Sequence, residues 1–358
     1  MAAWVKGGAA SLDAAVEAAA DLLAKARVPV LAGLNADVGA VRAAYRLAET
    51  LGASLDPVSG RSLYAELGAL SAGGAMTTTR AETTARADVV LVLGNRPWDG
   101  DLVGEIAAAP LSRGGAAGAE RVLLSLGGPQ NGAIRHVAYA AEAGGLPVAL
   151  GHLRAFAKGH LAGEAAFADL AKRLFAAQYG VVIYDAEEVG ELGVEMLQGL
   201  IRDLNESTRF FTLPLADPFQ GRATVQLSAW TTGQAPRVGF GRHQPEHDPW
   251  RFDSARQIAA GEADAALWLA ALPAPRPDWL GRLPTVAVVG EGSTEAAGET
   301  AEVVITVGVP GESVGGALWN QRRGVIAYVD AKVPTEAARA VDVLARIRDR
   351  LIEKGVSC

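Results

Sequence analysis

Cysteine is almost absent from this chain of 358 residues, since Cys358 at the last position is the only one. A single thiol excludes an intramolecular disulfide, a CxxC redox pair, a cysteine-held iron–sulfur cluster and a cysteine-rich zinc site. Long apolar runs are also absent: no stretch of about 18 uncharged apolar residues occurs, and residues 1–26 carry acidic residues at helical spacing. We therefore expect no membrane span, no secretion signal and a cytoplasmic location.

A strong charge of one sign is missing as well. The 33 basic and 40 acidic residues give a net charge of −7 and a pI near 5.4, which argues against a general attraction to nucleic acid or acidic lipid. Neither a GxxxxGK(S/T) loop nor a GxGxxG segment after the first strand occurs, so kinases, GTPases and ordinary NAD enzymes lose support. Any anion site in this protein must be local.

Half of the residues are apolar, which is ample for a buried core. Helical spacing predicts helices over residues 12–26, after the cap Ser11, and over residues 38–51. Short apolar runs predict strands over residues 28–33, 88–94, 122–126, 147–151, 181–185, 210–215, 264–271, 286–290 and 303–308. The segments between them are long enough for crossovers, so the predicted fold class is α/β with mostly parallel, Rossmann-like open sheets.

The two halves of the chain share a repeated pattern. Residues 28–58 and 179–215 both run strand, acidic loop, long helix and second strand, and RADVVLVLGNRP resembles EADAALWLAALP. We predict two related lobes, over residues 1–155 and 156–330, and a C-terminal helix within 331–358 that packs back on the body. Ligands of such sheets lie beyond the carboxyl ends of the strands or between lobes. The loops of interest therefore begin at Leu34, Asn95, Ala216 and Ala271.

Acidic and histidine residues in these loops have two interpretations each. Asp37, Asp185 and Asp217 are candidate acid–base groups, but acidic residues directly after strands more often cap helices and turns. His243 and His247 have the spacing of a metal pair, yet Pro245 and Pro249 break the helix that would place both imidazoles on one face. We favour capping for the acids and ordinary hydrogen bonding for the histidines, with no catalytic or metal site.

The densest polar cluster is the segment 230–256, WTTGQAPRVGFGRHQPEHDPWRFDSAR. Its arginines suit bidentate contacts to a carboxylate or phosphate, and its tryptophans offer stacking faces. The alternative is an internal salt network with Glu246, Asp248 and Asp253. Lysine supplies only 6 of the 33 basic residues, so arginine is the usual basic residue of this chain and its abundance here does not by itself indicate a site. The arginines of segment 230–256 are Arg237, Arg242, Arg251 and Arg256.

Four longer segments carry a family resemblance. They are AGLNADVGAVRAAYRLAE, RAETTARADVVLVLGNRPW, the region from LADPFQGRATVQLSAW to ADAALWLAALP, and GESVGGALWNQRRGVIAYVDA. Together they span nearly the whole chain and resemble the B-subunit family of formylmethanofuran dehydrogenase, most closely its bacterial branch in the formyltransferase/hydrolase complexes of methylotrophs. The resemblance implies a fold like the central domains of molybdopterin oxidoreductases.

The sequence departs from the archaeal members of this family at the redox centre. Those members hold an iron–sulfur cluster through N-terminal cysteines and bind tungsten or molybdenum through a cysteine or selenocysteine. Here the chain begins directly with the first lobe, and after Asp56 the segment DPVSGRSLYA offers Ser62 where the thiolate is expected. A neutral hydroxyl does not replace a soft thiolate ligand, and without a cluster there is no electron path. Redox catalysis is therefore not expected.

The resemblance instead implies a scaffold subunit, not an enzyme on its own, in a four-subunit complex. The implied partners are a formyltransferase subunit, a metal-dependent amidohydrolase subunit and a third companion. In that complex formyl-tetrahydromethanopterin is converted to formate by way of methylofuran, a carrier with a polyglutamate tail. We expect no cofactor bound by the chain's own cysteines, and methylofuran shared within the complex. The candidate contacts to the anionic tail are Arg237, Arg242, His243 and Arg251, with Arg96 from the other lobe.

Two other hypotheses remain open at this point. The first is a subunit that retains a pterin cofactor without the thiolate. The second is a stand-alone, hinged small-molecule-binding module made of two related lobes. The scaffold hypothesis predicts exposed apolar surfaces for partners, for which the candidate residues are Trp4, Trp98, Trp279 and Trp319, although a tryptophan is as often part of a core.

Overall fold

A computed structural model describes residues 2–58, 60–141, 144–161, 165–215, 217–292 and 300–356. The chain forms two compact units. The first unit contains residues 1–60, 217–320 and 326–358, and the second contains residues 61–216 and 321–325. Among the described residues, no helix combines the length and the apolar character that crossing a bilayer requires.

Strands and helices alternate along the chain. The strands are β1 (Ala3–Val5), β2 (Gly8–Ala10), β3 (Pro29–Asn35), β4 (Ser54–Pro57), β5 (Val89–Leu93), β6 (Val122–Leu126), β7 (Val137–Tyr139), β8 (Gly180–Tyr184), β9 (Phe210–Pro214), β10 (Val238–Gly239), β11 (Glu246–His247), β12 (Ala265–Ala270), β13 (Thr285–Gly290), β14 (Val303–Val307), β15 (Gly316–Asn320) and β16 (Val325–Val329). The helices are α1 (Leu12–Ala24), α2 (Val38–Leu51), α3 (Gly60–Gly73), α4 (Arg80–Arg86), α5 (Asp101–Ala108), α6 (Gly145–Ala157), α7 (Ala165–Phe175), α8 (Ala186–Leu204, broken at Gly190), α9 (Gly221–Thr232), α10 (Ser254–Ala259) and α11 (Ala340–Glu353).

The first unit is built on a nine-stranded sheet in the order β11-β10-β4-β3-β12-β13-β14-β1-β2. Its five central strands, β4-β3-β12-β13-β14, are parallel, and short antiparallel strands extend both edges. Strands β3, β12, β13 and β14 are buried along their whole length, because helices cover the faces of a parallel sheet. Helix α11 packs on α1 and α2 with Val343, Leu344 and Ile347 fully buried.

The second unit is built on a five-stranded, all-parallel sheet in the order β7-β6-β5-β8-β9. Strand β8 lies between β5 and β9, and Tyr184 and Phe210 are fully buried in this core. Helices α6 and α8 pack together on one face. The α/β class with open, mostly parallel sheets is therefore confirmed for both units.

The internal repeat is visible in the strand order. Strands β4-β3-β12-β13-β14 of the first sheet occupy the same positions as β9-β8-β5-β6-β7 of the second. The sequence match between β3 and β8, and the match between β12 and β5, thus pair strands at equivalent positions. The compact units do not follow the contiguous boundaries at residues 155 and 330, because the parallel pair β3–β12 joins segments from both ends of the chain.

One predicted strand is wrong. Residues 147–151 lie inside helix α6, where Leu146, Ala149, Leu150 and Leu153 are buried at helical spacing. Pro147 is compatible with this helix because it lies in the first turn, where a backbone N–H has no intrahelical partner.

Candidate functional site

The loops after β3 and β12 meet at the carboxyl ends of the strands in the first unit. The Asn35 side-chain amide donates to the carbonyl oxygens of Leu272 (3.3 Å) and Pro273 (2.8 Å). Its Oδ1 accepts the backbone N–H of Gln220 at 3.1 Å. Two of the predicted loops, those from Leu34 and Ala271, are thus held together by one amide, and the predicted loop start Ala216 lies outside the described residues.

The three candidate acids act as caps. Asp37 accepts the N–H of Gly39 at the start of α2 (3.0 Å), and Asp185 accepts the N–H of Glu188 at the start of α8 (2.7 Å). Asp217 accepts the N–H groups of Phe219 and Gly221 before α9. Burial raises the pKa of Asp37, an effect that the hydrogen bond from Gly39 partly opposes. These contacts correspond to the capping interpretation.

Arg96, which follows β5 in the second unit, is held by acidic residues that follow β8. Its guanidinium lies 3.0 Å from Asp185 and 2.7 Å from Glu187. The hydrogen bond from Arg96 lowers the pKa of Glu187. Glu188 accepts the backbone N–H groups of Asn95 and Arg96. Both the backbone and the side chain of this loop are therefore held by acidic residues that follow β8. Arg96 remains half exposed but already has two carboxylate partners.

Arg237 forms a nearly buried ion pair inside the first unit. Its Nε donates to Asp56 at 2.9 Å and its second guanidinium nitrogen lies 2.5 Å from Asp253, while it also contacts the Pro249 carbonyl. The backbone N–H and hydroxyl of Ser254 complete the partners of Asp56, at 2.9 and 2.8 Å. Burial raises the pKa of Asp56, and the charge of Arg237 opposes the rise. Arg237 therefore corresponds to the salt-network alternative.

Arg242 and Arg251 differ from Arg237 in both exposure and partners. Their side chains are 68% and 51% exposed, and both lie near the same carboxylate, Glu246, at 3.1 and 3.4 Å. The short antiparallel pair β10–β11 places Glu246 opposite Gly239 at the edge of the sheet. His243 is exposed in the connecting turn, with a φ of 60°. Two guanidinium groups share one carboxylate here, which leaves several N–H donors of this surface facing solvent.

Trp250 and Arg256 form a stacked pair of the kind that the sequence of segment 230–256 predicts. The guanidinium carbon of Arg256 lies 4.3 Å from the centroid of the Trp250 ring. Glu262 fixes this guanidinium through two contacts, at 2.6 and 2.7 Å. The Trp250 side chain is nevertheless 70% exposed, and Trp230 is 66% exposed. A rigidly supported, exposed tryptophan is typical of a protein contact surface.

The tryptophans chosen from the sequence have less exposed positions. Trp279 is buried against Trp268, with ring centroids 5.9 Å apart. Trp4 is partly buried against the core of the first unit, and Trp98 and Trp319 are also partly buried. The prediction that Trp279 lies on an exposed surface is therefore wrong, because its indole completes the core beneath β12.

The surroundings of the histidine pair and of Ser62 show no metal-binding arrangement among the described residues. His247 Nδ1 lies 3.2 Å from the Arg237 carbonyl. Within the described ranges, no three His, Cys, Asp or Glu side chains are grouped so that they could hold a metal ion. Ser62 is partly buried in the first turn of α3, and Asp56 lies near the end of β4 in the other unit.

The two repeated sheets, with their acidic loop residues used as caps, define an open-sheet, Rossmann-like α/β protein. No protein-family model matches the chain. It is 84% identical over 362 aligned positions, covering both chains completely, to the B subunit of the formyltransferase/hydrolase complex Fhc of Methylorubrum extorquens AM1. A chain of the crystal structure of the complex FhcABCD from Methylorubrum extorquens, with methylofuran, matches with a TM-score of 0.96 and 85% identity over 99% of this chain and all of the other. The chain therefore belongs to the family of B subunits of formyltransferase/hydrolase complexes, which confirms the resemblance.

Proposed function

We propose that this chain is a non-redox, non-catalytic scaffold subunit of a cytoplasmic formyltransferase/hydrolase complex of four different subunits. The observation that carries the proposal is the match from end to end, at 84% identity, with the B subunit of such a complex. An identity of 84% over the whole chain, with a TM-score of 0.96 to the related crystal structure, supports the expectation that the surfaces that contact other subunits are shared too.

The chemistry of the chain supports a role without electron transfer. A pterin-bound tungsten or molybdenum needs a soft ligand, and an iron–sulfur cluster needs several thiolates. The only thiol in the sequence is Cys358, and the resemblance places Ser62 at about the position of the family's thiolate. The acids next to the strand ends are used as caps. The alternatives, a subunit with a pterin cofactor and a stand-alone binding module, predict different partners and metals.

The proposed partners are a formyltransferase subunit, a metal-dependent amidohydrolase subunit and a third companion. Formyl-tetrahydromethanopterin would supply the formyl group, methylofuran would carry it and hydrolysis would release formate. The related complex was crystallised with methylofuran, which supports methylofuran as the shared carrier. In this proposal the present chain contributes surfaces and not reacting groups.

Copurification tests the scaffold proposal directly. A tagged full-length chain, purified from its native host, should bring three partner subunits in constant ratio, zinc that follows the amidohydrolase subunit, and neither tungsten nor molybdenum. Mass spectrometry and elemental analysis of the same fractions provide the readout. A chain that purifies alone, or one that carries tungsten or molybdenum, would contradict the proposal.

Among the five predicted tail contacts, the exposed arginine surface formed by Arg242, His243 and Arg251 is best suited to hold the carrier's polyglutamate tail. We assign this role to Arg242, Arg251 and His243, because Arg237 is nearly buried and Arg96 is held by two carboxylates. The tail is a flexible polyanion, so several modest contacts would add up to retention. Each exposed contact contributes about 0.2–1 kcal/mol.

Charge reversal tests this assignment. In the intact complex, Arg242→Glu combined with Arg251→Glu should weaken retention of methylofuran by about tenfold, because it removes two contacts and adds repulsion. The matched control is Arg42→Glu with Arg282→Glu, two exposed arginines of the same unit with an equal change in charge. Carrier content per complex, measured after extensive dialysis, is the readout. Equal retention in the two double variants would show that the tail binds elsewhere.

A further inference from the structure

A cavity of about 550 Å³ lies in the second unit between α4, α5 and the turn at residues 321–325. Its polar lining consists of Arg80, Thr84, Glu105, Ser112 and Arg322. Cavities of 300–1,000 Å³ are typical of small-molecule sites. None of these residues belongs to the arginine surface discussed above, so the cavity is a separate feature of the chain.

Small apolar side chains form the rest of the wall. Ala81 and Ala85 are one helical turn apart and lie on the same side of α4, and Ala108, Ala109 and Pro110 form the opposite wall at the end of α5. Because methyl groups leave space where larger side chains would fill it, this composition keeps the cavity open. The wall suits the apolar body of a ligand and offers it no hydrogen bonds.

Two guanidinium groups provide the charge. Arg80 pairs with Glu105, and its Nε is buried without a hydrogen-bond partner among the described residues. Arg322 is exposed, and in the described part of the chain it has no polar partner. Two cations therefore face one carboxylate. The Arg80 side chain is 27% exposed, so an anion in the cavity would contact the exposed part of this side chain and not the buried Nε.

Arg121 removes an obstacle to anion binding at this position. The carbonyl oxygens at the end of a helix carry partial negative charge, which would repel an anion near the end of α5. The Arg121 guanidinium donates to Ala109 O at 2.9 Å and also contacts Ile106 O. Two carbonyl groups at this end of α5 are thereby compensated by a cation.

We propose that this cavity binds a small organic anion, with an apolar body against the alanine wall and one carboxylate or phosphate group between Arg80 and Arg322. Arginine suits this role because its planar fork makes two parallel hydrogen bonds to either group. Ser112, two residues after Pro110, supplies a hydroxyl for a further hydrogen bond. The site does not depend on the scaffold role, since all its residues lie in one unit of this chain.

Isothermal titration of the full-length chain, in whatever assembly it is purified, tests the site with four probes. Benzoate and phenyl phosphate represent the two organic anions, inorganic phosphate the bare anion and phenol the neutral body. Benzoate or phenyl phosphate should bind at least about tenfold more tightly than inorganic phosphate and phenol, and their order tells carboxylate from phosphate. No binding of either organic anion up to about 10 mM would overturn the proposal.

Two variants locate the binding. Arg322→Gln should weaken the better organic anion by about tenfold, because it removes a cation that is exposed and, among the described residues, has no structural partner. Ala81→Leu should weaken it similarly by filling the cavity without a change in charge. Arg209→Gln, at an exposed arginine of the same unit outside the cavity, should leave binding unchanged. Binding that is insensitive to both cavity variants would also overturn the proposal.

Discussion

Replacement of Arg237 by Met should lower the free energy of unfolding of the first unit by about 3–5 kcal/mol, the usual cost of removing one partner of a buried ion pair. The reason lies in Asp56, whose carboxylate would stay buried after losing the Nε hydrogen bond at 2.9 Å. Ser254 still donates twice to Asp56 but brings no charge. Asp253 would lose its contact with the same guanidinium.

This effect should depend on pH with a definite sign. Burial already raises the pKa of Asp56 from its ordinary value of 3.8, and Arg237 opposes the rise. Without Arg237 the pKa rises further, so the folded variant holds a proton more tightly than its unfolded chain. The loss in free energy of unfolding caused by Arg237→Met should therefore be largest at pH values above the raised pKa of Asp56. This loss, the deficit of the variant, should shrink as the pH falls towards 3.8.

Urea unfolding at several pH values measures this deficit, and hydrogen exchange locates it in the first unit. Arg242→Met is the control, because its guanidinium pairs with Glu246 at the surface and should contribute less than about 1 kcal/mol. The double variant Asp56→Asn with Arg237→Met should recover part of the loss, since it removes the unpaired charge. A deficit that grows on acidification would contradict this account of the ion pair.

The elements best predicted from the sequence are those whose ends carry local signals. Helix α2 has its predicted bounds, residues 38–51, because Asp37 caps its first turn and Gly52, with a φ of 62°, ends it in a left-handed conformation. Strands β5 and β12 are continuous apolar runs because both faces of a central parallel strand are buried. The repeat is likewise correctly identified, since matched segments occupy matched sheet positions.

Long-range pairing is what the local patterns do not reveal. Strand β3 pairs with β12, more than 200 residues later, and the whole second sheet forms from the chain between them. Sequence similarity shows which strands are equivalent, but the choice of neighbours depends on contacts between distant segments. Long-range contacts also explain why the arginines of segment 230–256 differ in burial and partners. The partners of Arg237 include Asp56, which lies far away in sequence, whereas Arg242 and Arg251 share the nearby Glu246.

Arg121 is the clearest residue that local reasoning misses, and its replacement by Met should destabilise the second unit by about 3 kcal/mol. Its guanidinium donates to carbonyl oxygens at the ends of two helices, those of Thr84 and Ala87 in and after α4, and of Ile106 and Ala109 in and after α5. Such carbonyl groups have no partner within their own helix. A single side chain therefore fastens both helix ends to the start of β6.

Arg121 has no carboxylate partner among the described residues, although its side chain is partly buried. Burial lowers the pKa of Arg121, so the four carbonyl groups must compensate a partly desolvated cation. Arg121→Lys keeps the charge but loses the planar fork, and one ammonium cannot reach carbonyl groups on two helices at once. We expect about half of the loss seen with Met. If Arg121→Lys lost as much stability as Arg121→Met, the effect would depend on the geometry of the guanidinium alone. If Arg121→Lys lost no stability, the effect would depend on charge alone.

Hydrogen exchange provides the strictest measurement of this prediction. Amides near the ends of α4 and α5 should exchange faster in the Arg121→Met variant, while β12 and β13 of the first unit should keep their protection, because the lost hydrogen bonds all lie in one unit. Arg135→Met is the matched control, since that side chain is 95% exposed and its ion pair with Glu120 is 3.9 Å long. The same guanidinium compensates carbonyl groups at the end of α5, beside the alanine-lined cavity. Arg121→Met should therefore also weaken anion binding in that cavity. Weakened anion binding with unchanged hydrogen exchange would assign Arg121 an electrostatic role and not a structural one.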